Sequence, residues 1–392
     1  MTLPMIAQTE QTALTLVTGA TGFAGRHLVR ALVADGQRVR AIVRSSSARE
    51  LLPPEVEVVE GDLADPELAP RAMPGVQRVY HLAAVYREAK HSDVHYREVN
   101  VAASRRLLDT AVACGVRRYV HCSTVGVHGH IASPPADEQS AYDPGDVYQE
   151  TKCEAEQLAL SYRDRLSLTV ARPTAIYGPG DTRLLKMFRM IARRRFPLIG
   201  GGENYYHMVY IDDLVRGLRL LGTHPRAVGE VFILGGERYE KLRELAAMIA
   251  AAAGVPAPWV RLPARPFQIA GTICEKLCVP FGIEPPIHRR RVDFYTKSRA
   301  FSIEKAKRLL GYLPEVSLAD GIRRTLDWYV ANGYIDGPPL GVRAQRDKSG
   351  SLSCTVAPAR PVGDGSGPVG GAPRRSRYRR AQISARSSDQ SR

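Results

Sequence analysis

Tyr148 and Lys152 stand four residues apart in the run Tyr148-Gln149-Glu150-Thr151-Lys152. On a helix that spacing puts the phenol and the ammonium on one face. A free tyrosine has a pKa of about 10, so a phenolate working near pH 7 needs about 4 kcal/mol of help from neighbouring positive charge. Lys152 is one such charge. Twenty-four residues before Tyr148, the pair Ser123-Thr124 closes a short apolar run and offers a hydroxyl that can hold a substrate oxygen. The three side-chain types together suit proton transfer at an alcohol or carbonyl oxygen.

A second constellation lies near the start of the chain. The apolar run Leu14–Thr18 passes into Gly19-Ala20-Thr21-Gly22-Phe23-Ala24-Gly25, after which a helical pattern begins. Glycines at such a strand-to-helix turn permit a tight bend and let backbone N–H groups approach a pyrophosphate at the positive end of the helix. The spacing is GxxGxxG instead of GxGxxG, and Gly19, Thr21, Gly22, Phe23 and Gly25 are the expected contacts. An oxidised nicotinamide would then be the second charge beside Tyr148. Arg44 follows the second strand, where an acid would grip an adenosine ribose. An arginine there pairs with a 2′-phosphate or stacks on adenine, which favours NADP over NAD. Asp62-Leu63 after the third strand are expected near the adenine, and Ala83-Ala84 after the fourth near the nicotinamide ribose.

These residues need a frame that brings strand ends together. Strands are expected at Leu14–Thr18, Arg38–Val43, Val56–Glu60, Arg78–Leu82, Arg118–Cys122 and Ser167–Ala171. Helices are expected at Phe23–Ala34, Val99–Ala113 and Tyr148–Tyr162. Repeated β-α-β units imply an α/β fold, a doubly wound parallel sheet of the Rossmann kind, which binds ligands beyond its strand C-termini. The dinucleotide-binding domain is placed at 13–178. A smaller substrate lobe follows at 179–340, with helices at Leu184–Arg195, Lys241–Ala253, Ser302–Leu310 and Leu318–Ala331. Part of it, about 206–235, is expected to return to the sheet through the apolar run Val231–Leu234.

Charge separates the ends of the chain. Of the formal +15, residues 341–392 carry eleven Arg or Lys against three Asp, a net of +8, leaving +7 for the first 340. That Ser-, Gly-, Pro- and Arg-rich stretch lacks the apolar residues needed to offset the entropy of ordering and is read as a disordered tail, with residues 1–12 as a flexible N-terminus. No groove-reading module precedes it, so no specific nucleic-acid partner is expected. Six cysteines without CxxC or Cys/His spacing suggest neither a metal site nor a disulfide framework, and a cytoplasmic setting. Cys274 and Cys278 read as small buried side chains. No signal peptide or membrane span is expected, although the apolar segment Phe267–Ile283 suits peripheral membrane contact.

Taken together, TGATGFAG, YQETK, His81-Leu82-Ala83-Ala84, Asn100, Arg172-Pro173-Thr174-Ala175-Ile176-Tyr177-Gly178-Pro179-Gly180-Asp181 and Val209–Leu214 resemble the extended branch of the short-chain dehydrogenase/reductase superfamily over about residues 13–335. The resemblance implies NAD(P) as cofactor, Tyr148 as general acid/base, and Lys152 as the residue that lowers its pKa and binds the ribose. It also implies Asn100 and Pro173 at the cofactor, and a homodimer packed through 99–113 and 148–162. Thr124 is preferred to Ser123 as the catalytic hydroxyl because it stands five residues before Gly129, the offset used by related sugar epimerases.

Two departures narrow the reaction. Dehydratases of this branch carry an Asp-Glu pair directly after the catalytic threonine, where this chain has Val125-Gly126. Nucleotide-sugar enzymes often place a diphosphate-gripping arginine where this chain has Tyr206-His207. The closing segments Phe301–Ala306, Leu310–Pro314 and Ala319–Ile322 are similar to epimerases and 3β-hydroxysteroid dehydrogenases alike, and Pro285-Pro286 with His288–Arg291 is similar to the sterol branch. The expected activity is hydride transfer at a secondary alcohol or ketone of a sugar or sugar nucleotide, including epimerisation. A 3β-hydroxysteroid or sterol dehydrogenase is the alternative, and a non-catalytic NAD(P)-sensing module the alternative of another class. Tyr86, His128, Arg183 and His207 are the expected substrate residues.

Overall fold

Leu14–Thr18 is buried along its whole length, as a strand covered on both faces must be. It is β1 of a computed structural model that describes residues 13–86, 92–267, 269 and 289–336, all within the unit spanning residues 1–340. The N-terminus 1–12, the basic tail 341–392, Cys274, Cys278, Pro285-Pro286, His288, the side chains of 289–292 and nearly all of the apolar segment Phe267–Ile283 lie outside the described residues.

From β1 the chain runs through α1 (Phe23–Ala34), β2 (Arg38–Val43), β3 (Glu57–Glu60), α2 (Leu68–Ala72), β4 (Val76–His81), α3 (Asp93–Arg97), α4 (Ala103–Ala113), β5 (Arg118–Cys122), α5 (Val147–Leu160) and β6 (Leu168–Pro173). Then follow β7 (Ala175–Tyr177), α6 (Leu185–Ala192), β8 (Leu198–Ile199), β9 (Tyr205–Tyr210), α7 (Ile211–Thr223), β10 (Val231–Leu234), β11 (Tyr239–Lys241) and α8 (Leu242–Ala252). After β12 (Arg261–Leu262) come α9 (Arg289–Thr296), α10 (Glu304–Leu310) and α11 (Leu318–Ala331).

Seven strands form one parallel sheet in the order β10-β6-β5-β4-β1-β2-β3. The strand order reverses between β1 and β4, where Thr18 is level with His81, and a crevice at such a reversal is where doubly wound sheets bind ligands. Alternate side chains feed two cores. Val17 joins Leu28, Val29 and Leu32 of α1 and Leu214 and Leu218 of α7, whereas Leu14 and Leu16 join Leu107, Leu108 and Ala111 of α4 and Ala159 of α5. Val231–Leu234 adds the outer strand beside β6, while Tyr205–Tyr210 pairs with β7 and β11 in a separate three-stranded sheet.

Of the element ends that differ from the sequence pattern, three do so for visible reasons. The helix expected from Val99 begins at Asp93, where Ser92 caps it, and passes through a π-helical turn at Glu98–Ala102. Such turns displace one residue from the helical ladder and cluster at functional sites; here the turn carries Asn100. The strand expected to stop at Ala171 continues to Pro173, which sits level with Leu234 of the outer strand. The helix expected to reach Arg195 ends at Ala192, and Arg194 adopts a left-handed φ of 57°.

Candidate active site

Shape, more than side chains, makes the first wall of the site. Gly19 has a φ of +67°, and a Cβ there would lie 2.8 Å from the Ala83 nitrogen. A Cβ on Gly25 would lie 2.0 Å from the Gly19 carbonyl oxygen, so only glycine lets α1 start this close to β1. The Gly22 N–H donates to that same carbonyl at 3.0 Å and Gly22 caps α1. The result is a cradle of backbone groups at a helix N-terminus, open into a cavity of about 370 Å³. That cradle fits the pyrophosphate of a dinucleotide.

The cavity opens along the C-terminal ends of β1, β4, β5 and β6, and its lining includes Leu82, Ala84, Cys122, Ser123, Thr124, Tyr148, Lys152 and Pro173. Asp146 caps α5 by accepting from the Gln149 N–H at 2.9 Å, which fixes the first turn where Tyr148 stands. Tyr148 is buried, its ring edge-to-face with Tyr86 at 5.0 Å. One turn on, Lys152 is buried and donates from Nζ to the Cys122 carbonyl at 2.6 Å. Burial pulls its pKa below the usual lysine value. Thr124 Oγ1 accepts from the Gly126 N–H at 3.0 Å and starts a short 3-10 turn. Ser123 is buried on the same wall, and its hydroxyl has no hydrogen-bond partner among the described residues.

A hydrogen-bonded chain runs beneath this wall. Asn100 accepts from the Val85 N–H at 2.8 Å and donates to Thr151 Oγ1 at 3.0 Å, tying the β4 loop to α5. Ser104 donates to the Asn100 carbonyl at 2.7 Å and so accepts from His81 Nε2 at 2.9 Å, which leaves His81 Nδ1 to accept from Thr18 at 2.7 Å. That closure requires a neutral imidazole, and burial lowers the His81 pKa to about 3. Asn100 and Ala83 therefore shape the wall from behind without joining the cavity lining. Thr21, Arg44, Asp62 and Leu63 also lie outside that lining; Arg44 is exposed immediately after β2, and Asp62 accepts from the Ala64 N–H just beyond β3.

The expected substrate residues divide. Tyr86, Arg183 and His207 line the cavity. Arg183 is ion-paired to buried Asp181 at 2.6 Å with its guanidinium 5.2 Å from the Phe23 ring centre. His207 Nε2 donates to the Gly236 carbonyl at 2.8 Å, and burial lowers its pKa to about 4. His128 does not reach the cavity, contrary to expectation. It donates from Nδ1 to the Ala141 carbonyl at 3.0 Å and accepts from Arg172 at 2.9 Å, beside the buried Arg172–Glu156 pair, which exposed Tyr142 covers from outside. Among the lining residues that sequence reasoning missed are Gln149, Thr174, Ala175, Ile176, Arg299 and Phe301. The Arg172-Pro173-Thr174-Ala175-Ile176 motif signalled three of them and Phe301 opens the closing segment Phe301–Ala306, but nothing local signalled Arg299.

Residues 15–235, over half of the chain, match the family described as the NAD dependent epimerase/dehydratase family. The chain belongs to that family. A 2-alkyl-3-oxoalkanoate reductase of Stenotrophomonas maltophilia (strain K279a) is 34% identical over 323 residues, covering 79% of this chain and 97% of that protein. A 3beta-hydroxysteroid-dehydrogenase/decarboxylase of Arabidopsis thaliana (isoform 1) is 30% identical, covering 81% and 80%. Among solved structures, the dTDP-glucose 4,6-dehydratase DesIV of Streptomyces venezuelae, with NAD and TYD bound, is 27% identical with a TM-score of 0.65, covering 82% of this chain and 99% of that one. This family member is thus an NAD-dependent oxidoreductase or epimerase, and the non-catalytic alternative falls away. Among the described residues no helix is long and apolar enough to cross a membrane.

Proposed function

We propose that this enzyme interconverts a secondary alcohol and its ketone on a substrate with a largely apolar body, with Tyr148 as the proton-transferring group. The observation that carries this reading is one cavity that holds Tyr148, Lys152 and the Ser123-Thr124 hydroxyls beside the glycine cradle. When bound, the nicotinamide supplies the hydride acceptor or donor. In the oxidation the carbinol carbon gives up its hydride, the hydroxyl proton goes to Tyr148, and a ketone remains. Lys152 lies on the same helix face and favours the phenolate form. Thr124 or Ser123 holds the substrate oxygen; the turn-capping bond uses Thr124 Oγ1 only as an acceptor, leaving its proton free to donate.

The lining supports the lipid-alcohol class over the sugar class. Beyond Tyr148 the walls are Tyr86, Ile176, Tyr206 and Phe301, and the two relatives named above act on an alkyl-substituted oxoalkanoate and a 3β-hydroxysteroid. Elimination of water is disfavoured, because among the described residues no Asp or Glu lines the cavity. The sugar-nucleotide reading keeps one observation in its favour, the guanidinium groups of Arg183 and Arg299 in the lining. A panel of 3β-hydroxysteroids, long-chain 3-hydroxy compounds and UDP-sugars, assayed with NAD and NADP for reduced nicotinamide, tests the reading. Turnover of the apolar substrates alone is the expected result; turnover of the UDP-sugars alone would overturn it.

A further inference from the structure

A second cavity, of about 390 Å³, shares none of its described lining with the catalytic one. Its base is Tyr80 of β4, one wall is α7, and its roof is the segment 311–315 that follows α10. The roof is fastened at both ends. Tyr312 donates from its hydroxyl to the Gly235 carbonyl at 2.9 Å, and buried Asp213 of α7 accepts from the Glu315 N–H at 2.9 Å.

The base holds a donor without an acceptor. Tyr80 is wholly buried, and its hydroxyl has no hydrogen-bond partner among the described residues. A Cβ on Gly222 of α7 would lie 1.9 Å from that oxygen, so the phenol ends against the helix where only glycine leaves room. Residues three apart share a helix face, which places the hydroxyl beside Arg219 of the same lining. Burial pushes the Tyr80 pKa up to about 12 against the pull of Arg78, Arg219 and Arg118, so the group stays protonated. A buried donor left unmatched is costly, which points to a guest that brings an acceptor.

The other polar groups of the lining are rich in donors. Gln37 is held with its oxygen toward the Arg78 guanidinium at 3.2 Å, which makes the amide N–H groups the end it can offer. Arg219 pairs with Asp35 through one terminal nitrogen at 2.5 Å, and that pair is 40% and 32% exposed. A guanidinium has five N–H donors, more than this contact uses, and pairs open to water hold weakly. Glu315, the carboxylate among the described lining residues, is exposed and already paired with Arg216. Leu220, Leu313 and the Tyr312 ring supply an apolar surface beside these donors.

We propose that this cavity is a second, non-catalytic ligand site that takes a small carboxylate with an apolar body. One carboxylate oxygen accepts from the Tyr80 hydroxyl, the Arg219 guanidinium is shared between the guest and Asp35, and the body rests on Leu220 and Leu313. The assignment stands independently of the alcohol–ketone reading above.

The test is isothermal titration of benzoate, benzyl alcohol and inorganic phosphate into the NAD-saturated protein, in wild type, Tyr80→Phe, Arg219→Gln and Tyr148→Phe. Benzoate is expected to bind wild type about tenfold more tightly than benzyl alcohol or phosphate, in line with a charge-assisted hydrogen bond and an apolar contact. Tyr80→Phe deletes only a hydroxyl without a partner and should weaken benzoate about tenfold, with the melting temperature measured as the check on folding. Arg219→Gln should weaken it by a similar factor. Tyr148→Phe, in the catalytic cavity, should leave benzoate affinity unchanged. Absence of benzoate binding, equally tight binding of benzyl alcohol or phosphate, or a benzoate affinity that survives Tyr80→Phe or Arg219→Gln overturns the assignment. Loss of benzoate binding in Tyr148→Phe places the carboxylate in the catalytic cavity and overturns it equally.

Discussion

The two ends of the cavity are built by different means. At the cofactor end, Gly19 and Gly25 pack backbone against backbone with gaps too small for a Cβ, and Gly22 caps the helix between them. At the substrate end, Tyr86, Ile176, Tyr206, Arg299 and Phe301 arrive as side chains from segments spread over more than 200 residues of sequence. A wall made of backbone can hold the same cofactor in many relatives, whereas a wall of side chains can be re-specified one residue at a time. Family membership is therefore written at one end and substrate choice at the other.

Tyr148→Phe is expected to have the largest effect on turnover, because it removes the transferable proton and little else. A loss of about 10³-fold or more in kcat, with dinucleotide affinity retained in a fluorescence titration, is the outcome consistent with general acid–base catalysis. Unchanged kcat would end the proposed role. Gly25→Ala probes the opposite end. Its Cβ would meet the Gly19 carbonyl at 2.0 Å, so dinucleotide affinity should fall at least 10-fold and stability by about 1–3 kcal/mol in a denaturant titration. Normal affinity in this variant would show that the cradle yields more readily than its packing implies.

Acid should loosen the floor beneath the cofactor end. Burial holds His81 down to about 3 and His121 well below the usual histidine value, while an unfolded chain protonates each near 6.5. Below pH 6.5 the unfolded state binds more protons, so stability falls as pH drops through the window between the unfolded and folded values, and this contribution is constant above it. Each histidine contributes a slope of about 1.4 kcal/mol per pH unit there. His121→Phe should make the acid limb of a stability–pH curve shallower by up to one proton; an unaltered slope would rule out a neutral buried His121. The smallest expected effect is that of Arg44→Asp, which lies outside the cavity lining. A several-fold shift of the NADP/NAD ratio in kcat/KM toward NAD is expected, and an unchanged ratio would separate Arg44 from cofactor choice.

Legibility followed the same division. The glycine turn and the Tyr148–Lys152 spacing are local, so a few consecutive residues announce them, and the ends of β1, β2, β5, β10, α1 and α11 fall where apolar runs and breaker residues place them. Arg299 reaches the cavity only because its segment pairs with Tyr205 and with the loop around Ala136, more than 90 residues away in each case, and no local pattern records such pairing. His128 misled in the opposite way. It was expected among the substrate residues, but its partner Arg172 lies 44 residues further along and turns the ring inward. Tyr205–Tyr210 was equally opaque, since an apolar strand does not state which sheet it will join.

The inward-turned cluster around Arg172 has a thermal consequence. Arg172 donates to Glu156 of α5, to Tyr142 and to the Glu138 carbonyl, with both ionic partners almost wholly removed from water, and it directly precedes Pro173 of the cavity wall. A pair so dry resists partial separation, because removing either partner leaves an uncompensated charge worth about 3–5 kcal/mol. The helix that bears Tyr148 and the strand that ends at Pro173 are thus one melting unit. On warming, catalytic competence and core structure should disappear together in a single transition, with no heat-softened species that keeps its sheet but has lost its active site.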